Sequence, residues 1–360
     1  MGAPAVASSE WAECLVPPTP VSPALAREVR RHFGAVPGWL PRLAPSPWIT
    51  RALCEFVGKP VAYVPPALYD LISLVVSQDN SCRYCYGVQR AVMKILGYRL
   101  EYIDRLVRDF HAVELSRAER TALEFARKLS RANPPPGRAE LEELVGAGFS
   151  RPAAAEIAVG ASASTFANRV ATLLALPPES LESFVERPLF RLVRPLIARR
   201  MRARPRAPEP PPQPNDGPCA PVVAALGDSP AAGAFRRVID GAWASDVLPR
   251  RTKSLMLAVI GKALGSAYAE GEARRLLEPE GFAPPEVDEV LTNLGSSRLD
   301  RREARLVPFA RETVRYQPAA IQRRVHELAM EVTADELLEA VGIAALANAV
   351  CRLSVVLDAG

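Results

Sequence analysis

The stretch DLISLVVSQDNSCRYCYGVQ, from Asp70 to Gln89, decides how the rest of the chain is read. Leu71, Ile72, Val75 and Val76, preceded by Leu68, recur at helical spacing and then meet a polar break. Val88, Ala91, Val92, Ile95 and Leu96 form one face of a second helix that stops at Gly97. Cys82 and Cys85 stand at its start, where Ser81 or Asn80 is the predicted N-cap. The spacing places Cys82, Cys85 and Gln89 on one face, with Asp70 arriving from the preceding helix. A thiol has a pKa of about 8.5, and a helix N-terminus lowers it by stabilising the thiolate. The residues alone therefore indicate a redox pair or half of a metal site. A structural zinc takes about four ligands, and the chain has no second CxxC, while His32, His111 and His326 are scattered. No metal and no bound cofactor are expected.

Outward from this stretch the same helical period continues in both directions. A Pro-rich lead gives way at Ala24 to a short helix containing Val29 and Phe33 and closed by Gly34-Ala35-Val36-Pro37. Ser116 followed by Glu119 is a capping box. Leu141 to Val145 and Ala153 to Leu176 complete the set, and strand-type alternation is missing. The fold class is all-α.

After a second Pro-rich segment the pattern restarts. Pro65 and Pro249, Gly87 and Gly271, Gly97 and Gly281, Glu119 and Glu303, Phe125 and Phe309 are each 184 positions apart. Ser46 and Ser229, Glu156 and Glu339, Arg169 and Arg352 match at 183. The expected organisation is a lead (1–20), a helical domain with the cysteines (21–186), a linker (187–218) and a tandem copy (219–360). In that copy Asp70, Cys82, Cys85 and Gln89 are matched by Ser254, Ser266, Ala269 and Ala273, so the repeat keeps a scaffold without its thiols. Tyr84 recurs as Tyr268, which argues that it packs.

The 360 residues, 49% hydrophobic, suffice for two cores. The net charge of +5 is local. Eight arginines between Arg187 and Arg206, with no acid between them, leave −3 for the remainder. That run, rich in proline beyond Pro205, reads as a semi-rigid tether whose basic rim could meet an anionic lipid, a nucleic acid or an acidic protein. Met1 to Ser9 carry no basic n-region, and no apolar stretch of about 20 residues is legible, so a cytoplasmic protein is expected.

An acidic residue twelve positions before a CxxC, and a ligand-type residue four after it, resembles the alkyl hydroperoxidase D (AhpD)/carboxymuconolactone decarboxylase family. Phe33-Gly34-Ala35-Val36-Pro37, Ser46-Pro47, Leu115-Ser116-Arg117-Ala118-Glu119 and Phe166-Ala167-Asn168-Arg169 resemble the family's surroundings, over about Ala24 to Pro178. The resemblance implies a thiol-dependent peroxidase or disulfide oxidoreductase. It assigns attack to Cys85 and resolution to Cys82, with a peroxide or disulfide substrate, a dithiol reductant protein, and self-association that the two copies would supply as an internal pseudo-dimer. The family's usual acid and imidazole are here Asp70 and Gln89. Gln carries no titratable proton and only orients a partner by hydrogen bonding. A different class of function is the alternative: a decayed tandem module that binds or regulates through the basic segment.

Overall fold

Proline punctuates this chain at helix starts, where its missing N–H costs nothing and its fixed φ suits the first turn. The computed structural model describes residues 13–58, 61–188, 190–202 and 217–358. Its first half contains α1 (Pro23–Phe33), α2 (Leu40–Leu43), α3 (Pro47–Arg51) running into a π-helical turn (Ala52–Phe56), α4 (Pro66–Asp79), α5 (Arg83–Leu96), α6 (Leu100–Arg108), α7 (Arg117–Arg131), α8 (Arg138–Gly146) and α9 (Arg151–Leu173). The short α10 (Ser180–Phe184) and α11 (Phe190–Arg202) lead on. The second half contains α12 (Ala220–Ala224), α13 (Pro230–Ala244), α14 (Arg250–Leu264), α15 (Ala267–Leu277), α16 (Pro284–Asn293), α17 (Glu303–Glu312), α18 (Pro318–Ala329) and α19 (Ala334–Leu357). No strand occurs among the described residues, so the fold is all-α.

Helix starts coincide between the halves. Those of α4, α5 and α6 precede those of α14, α15 and α16 by 184 positions, and α3 and α9 precede α13 and α19 by 183. The caps agree in conformation too: Cys82 has φ −80° and ψ 94°, and Ser266 has φ −86° and ψ 95°.

The halves do not keep separate cores. One apolar cluster runs from Val16 to Val356 and joins them, because α9 and α19 bury nearly all their side chains and pack on each other. Small residues allow that approach. A Cβ on Gly342 would lie 2.5 Å from Ile49 Cδ1 and 2.8 Å from Trp48 Cη2, so the α3 side chains seat directly on the α19 backbone. Trp48 Nε1 donates to Glu339 Oε2 at 2.7 Å, and Phe56 stacks on Phe235 at 4.9 Å, both across the seam.

The strongest link is reciprocal. Arg169, buried on α9, donates from Nε to Thr313 O and from Nη2 to Val314 O, each at 2.9 Å. Arg352, buried on α19, donates from Nε to Leu129 O at 3.1 Å and from Nη2 to Ser130 O at 3.4 Å and Val314 O at 3.3 Å. Each arginine thus satisfies carbonyls at the end of a helix in the opposite half, where cations are electrostatically favoured. Burial, then the nearby Arg169 charge, holds Arg352 well below the usual guanidinium value.

Several expectations change. The lead is partly packed: Val16 is buried and Thr19 Oγ1 donates to Pro41 O at 2.8 Å. The linker begins later than 187, since α11 continues through Pro195 and lays Phe190 and Ala198 on Ala91 and Ile95 of α5. Residues 1–12 and the Pro-rich run at 203–216 lie outside the described residues. A helix of membrane-spanning length and apolarity does exist, α19, but 89% of its apolar window is buried inside the fold, which makes it a core helix.

Replacing Arg352 with Met would leave two cross-seam carbonyls, Leu129 O and Ser130 O, without this donor, while Val314 O keeps Arg169. The expected cost is about 3 kcal/mol or more, read from urea unfolding. A loss below about 1 kcal/mol would show that the seam does not depend on this group.

Candidate active site

The polar break after α4 shapes the cysteine site. Asn80 ends α4, and Ser81 takes a left-handed φ of 51°, leaving Cys82 as the extended residue that caps α5. The N-cap is therefore Cys82 itself, not Ser81 or Asn80, because Asn80 caps the end of α4 and Ser81 makes the left-handed turn between the helices. Cys82 Sγ accepts the Cys85 N–H at 3.4 Å, the position a capping hydroxyl ordinarily fills.

Electrostatics separate the two thiols. Burial raises Cys82, yet the Cys85 thiol, the Thr172 hydroxyl and the Cys85 and Tyr84 N–H groups outweigh it and hold Cys82 below the ordinary thiol value. Cys85 is pushed well above that value, first by its interaction with Cys82 and then by burial, with Asn168 opposing. The contrast with the isolated thiols is plain: burial pushes Cys54 and Cys351 up to about 12. Within the pair the thiolate is favoured at Cys82 over Cys85, opposite to the roles that the resemblance implies.

The groups around the thiols come largely from α9, far along the chain from the cysteines. Asn168 donates to Ser77 Oγ at 3.1 Å and accepts from Asn80 Nδ2 at 3.0 Å, tying α9 to the end of α4 beside Cys85. Thr172 is buried, and its Oγ1 is turned toward Cys82 without completing a hydrogen bond of normal geometry. After α9, Glu179 Oε1 accepts from Gly38 N at 2.8 Å and from Tyr84 OH at 2.5 Å. Tyr84 is more than packing, since its counterpart Tyr268 has a buried hydroxyl without a hydrogen bond. Gly87 is a contact requirement: a Cβ there would meet the Glu182 carboxylate at 2.1 Å, so α10 lies directly across α5. The run Phe166-Ala167-Asn168-Arg169 is the sequence signal that could have located Asn168.

Asp70 is buried on α4, and its charge helps raise the neighbouring Tyr69 hydroxyl. Gln89 lies on α5, half-buried, with Oε1 enclosed and accepting no hydrogen bond from the protein. Among the described residues no three His, Cys, Asp or Glu side chains converge as a metal site would require.

A cavity of about 390 Å³ opens on Cys82. Its lining includes Thr172, Ala171, Ala175 and Leu176 together with Arg42, Arg83 and Tyr84. Glu13 and Cys14 of the lead reach it, and the second half contributes Gln322, whose Nε2 donates to Thr172 O at 2.9 Å.

In the second half hydroxyl and carboxylate contacts stand at the matching place. Ser266 Oγ accepts the Ala269 N–H at 3.1 Å and pairs with Ser354 Oγ at 2.7 Å. The Cys219 N–H donates to Glu272 Oε1 at 2.8 Å, sealing α12 against α15.

Two outcomes follow from these contacts. Alkylation of Cys82 should be half-maximal below the free-thiol value of about pH 8.5, because its folded pKa is depressed, and Thr172→Val should move the midpoint upward. Peptide-mapped alkylation across pH reads this, and a free-thiol profile would contradict it. Gln89→Leu should leave stability unchanged or raise it by about 1 kcal/mol in thermal unfolding, since it removes an enclosed acceptor without a donor. A clear loss would reveal a partner for Oε1.

No protein-family model matches the chain, and no curated protein matches it. Solved structures do. One is an alkylhydroperoxidase AhpD core, an uncharacterized peroxidase-related protein from Ralstonia eutropha JMP134, 22% identical over 45% of this chain and 91% of that one, with a TM-score of 0.41. Another is an uncharacterized peroxidase-related protein from Silicibacter sp. TM1040, 23% identical over 46% and 93%, with a TM-score of 0.39.

Proposed function

We propose that the chain is a thiol-dependent peroxidase or disulfide oxidoreductase working through Cys82 and Cys85, with the second half as a copy that has lost the thiols. The observation that carries this is the placement of Cys82 as the cap of α5, where its thiolate is favoured, with the Cys85 thiol beside it.

The step that fits this charge placement begins at Cys82. Its thiolate attacks the terminal oxygen of a hydroperoxide, the O–O bond breaks, and Cys82 becomes a sulfenic acid while an alkoxide leaves. The Cys85 S–H supplies the proton that converts the alkoxide to an alcohol. Cys85, now a thiolate, attacks the Cys82 sulfur, expels hydroxide that is protonated to water, and closes the disulfide. An external dithiol reduces it by exchange, becoming a disulfide itself. In this order the proton on Cys85 is consumed by the leaving group, so no base is required at Gln89. Asp70 keeps a supporting place on α4. The reduced pair suits a reducing compartment such as the cytoplasm, and packing through α9 and α19 serves as the internal pseudo-dimer.

Wild-type protein with a dithiol reductant should consume an alkyl hydroperoxide, and Cys82→Ser should abolish this. Cys85→Ser should give one turnover and a trapped sulfenic acid on Cys82. Trapping on Cys85 in the Cys82→Ser variant would restore the opposite roles, and no consumption by the wild type would end the reading.

The alternative, a binding module, draws support from α11. Leu192 is 77% and Leu196 71% exposed, next to Arg194 and Arg199, the composition of a helix that lies on an anionic lipid surface.

A further inference from the structure

The cavity beside Cys82 is built with a charge bias and an apolar floor, and these select among substrates. We infer that the site takes an organic hydroperoxide bearing a carboxylate, held by Arg42 and Arg83 with its reacting group at Cys82. This rests on the peroxidase reading and specifies its substrate class.

Four features support the choice. The volume of about 390 Å³ lies in the range of small-molecule sites and is far larger than hydrogen peroxide needs. Its polar end carries two guanidinium groups against one carboxylate, that of Glu13. Arg42 is held in place from behind, since Nη1 donates to Val16 O at 2.5 Å. That contact fixes the half-buried side chain on the cavity wall and leaves other N–H donors of the fork for a ligand. Arg83 directly follows the capping cysteine, and its charge is felt at Glu182 on α10, so it flanks the mouth of the site.

Much of the remaining lining is apolar. Ala171, Ala175, Leu176, Pro177 and Pro178 offer no donor side chain, and they suit a hydrocarbon body. Beside the sulfur, the Thr172 hydroxyl is almost fully enclosed and turned toward Cys82. It is placed to meet a hydroperoxide oxygen at that sulfur, since a hydroxyl both donates and accepts. In the covalent step the Cys82 thiolate takes the terminal oxygen, the O–O bond breaks and the alkoxide leaves with the Cys85 proton. The carboxylate is a spectator that orients the substrate.

Two measurements test this on the full chain. The first compares alkylation of Cys82 by iodoacetate, an anion, and by iodoacetamide, its neutral counterpart, with the modified peptides mapped to separate Cys82 from Cys14. Arg83→Gln and Arg42→Gln should each lower the iodoacetate-to-iodoacetamide rate ratio by roughly five- to tenfold, and Glu13→Gln should raise it. The opposite sign for Glu13→Gln separates a field effect from loss of structure. The second compares turnover of a carboxylate-bearing alkyl hydroperoxide with that of its methyl ester. The acid should be favoured through KM, and Arg83→Gln should shrink the preference.

If both hydroperoxides turn over equally and the alkylation ratio ignores the arginines, the carboxylate inference fails and the peroxidase reading stands. If neither is consumed while the ratio still follows Arg42, Arg83 and Glu13, the anion site stands and the peroxidase reading fails.

Discussion

Two buried arginines that direct their donors at backbone carbonyls set the arrangement of everything else in this molecule. Arg169 and Arg352 occupy matching positions on α9 and α19, and each reaches the end of a helix in the other half. Both guanidiniums meet at Val314 O, so two like charges share one acceptor in a desolvated seam. Such a placement is costly alone, and burial accordingly lowers both groups. It persists because the helix-end carbonyls would otherwise be enclosed without donors. The seam is thus a mutual satisfaction of polar groups inside an apolar core.

The cysteine site inherits its geometry from that seam. Arg169 lies between Asn168 and Thr172 on α9, so fixing the arginine fixes the groups that face Cys85 and Cys82. Gln322 then brings the second half to the cavity through Thr172 O. A half without the CxxC pair therefore still contributes to the half that has it. At the matching place it pairs the Ser266 and Ser354 hydroxyls and ties the Cys219 N–H to Glu272.

The charge on Cys82 illustrates why position outweighs residue type. Burial first, and then nearby carboxylates, drive other enclosed thiols upward, as at Cys54 and Cys351. Cys82 is as deeply buried, but it stands at a helix N-terminus with N–H groups aimed at its sulfur. A second thiol one turn on completes the local field. The consequence is a pair of thiols with different proton affinities, the thiolate being favoured at Cys82.

Much of the fold was legible from the chain because its signals are local. Helix starts at Pro66 and Arg117, stops at Gly34 and Gly97, and the capping box at Ser116 and Glu119 depend on residues within one turn of each other. The all-α class and the offset of 184 followed from periodicity along the chain. What the sequence could not supply was set by contacts across it. Cys82 became the cap because Ser81 turned left-handed, the two expected cores merged because α9 and α19 bury every side, and α11 held its helix through Pro195 by lying on α5. Asn168, Thr172 and Gln322 are separated from Cys82 by 86 to 240 positions, a distance over which no periodicity speaks. The sequence by itself determined the helices and the pair of thiols; only the packing of helix on helix decided what surrounds each thiol and at which of them the thiolate is favoured, because a pKa is set by neighbours in space.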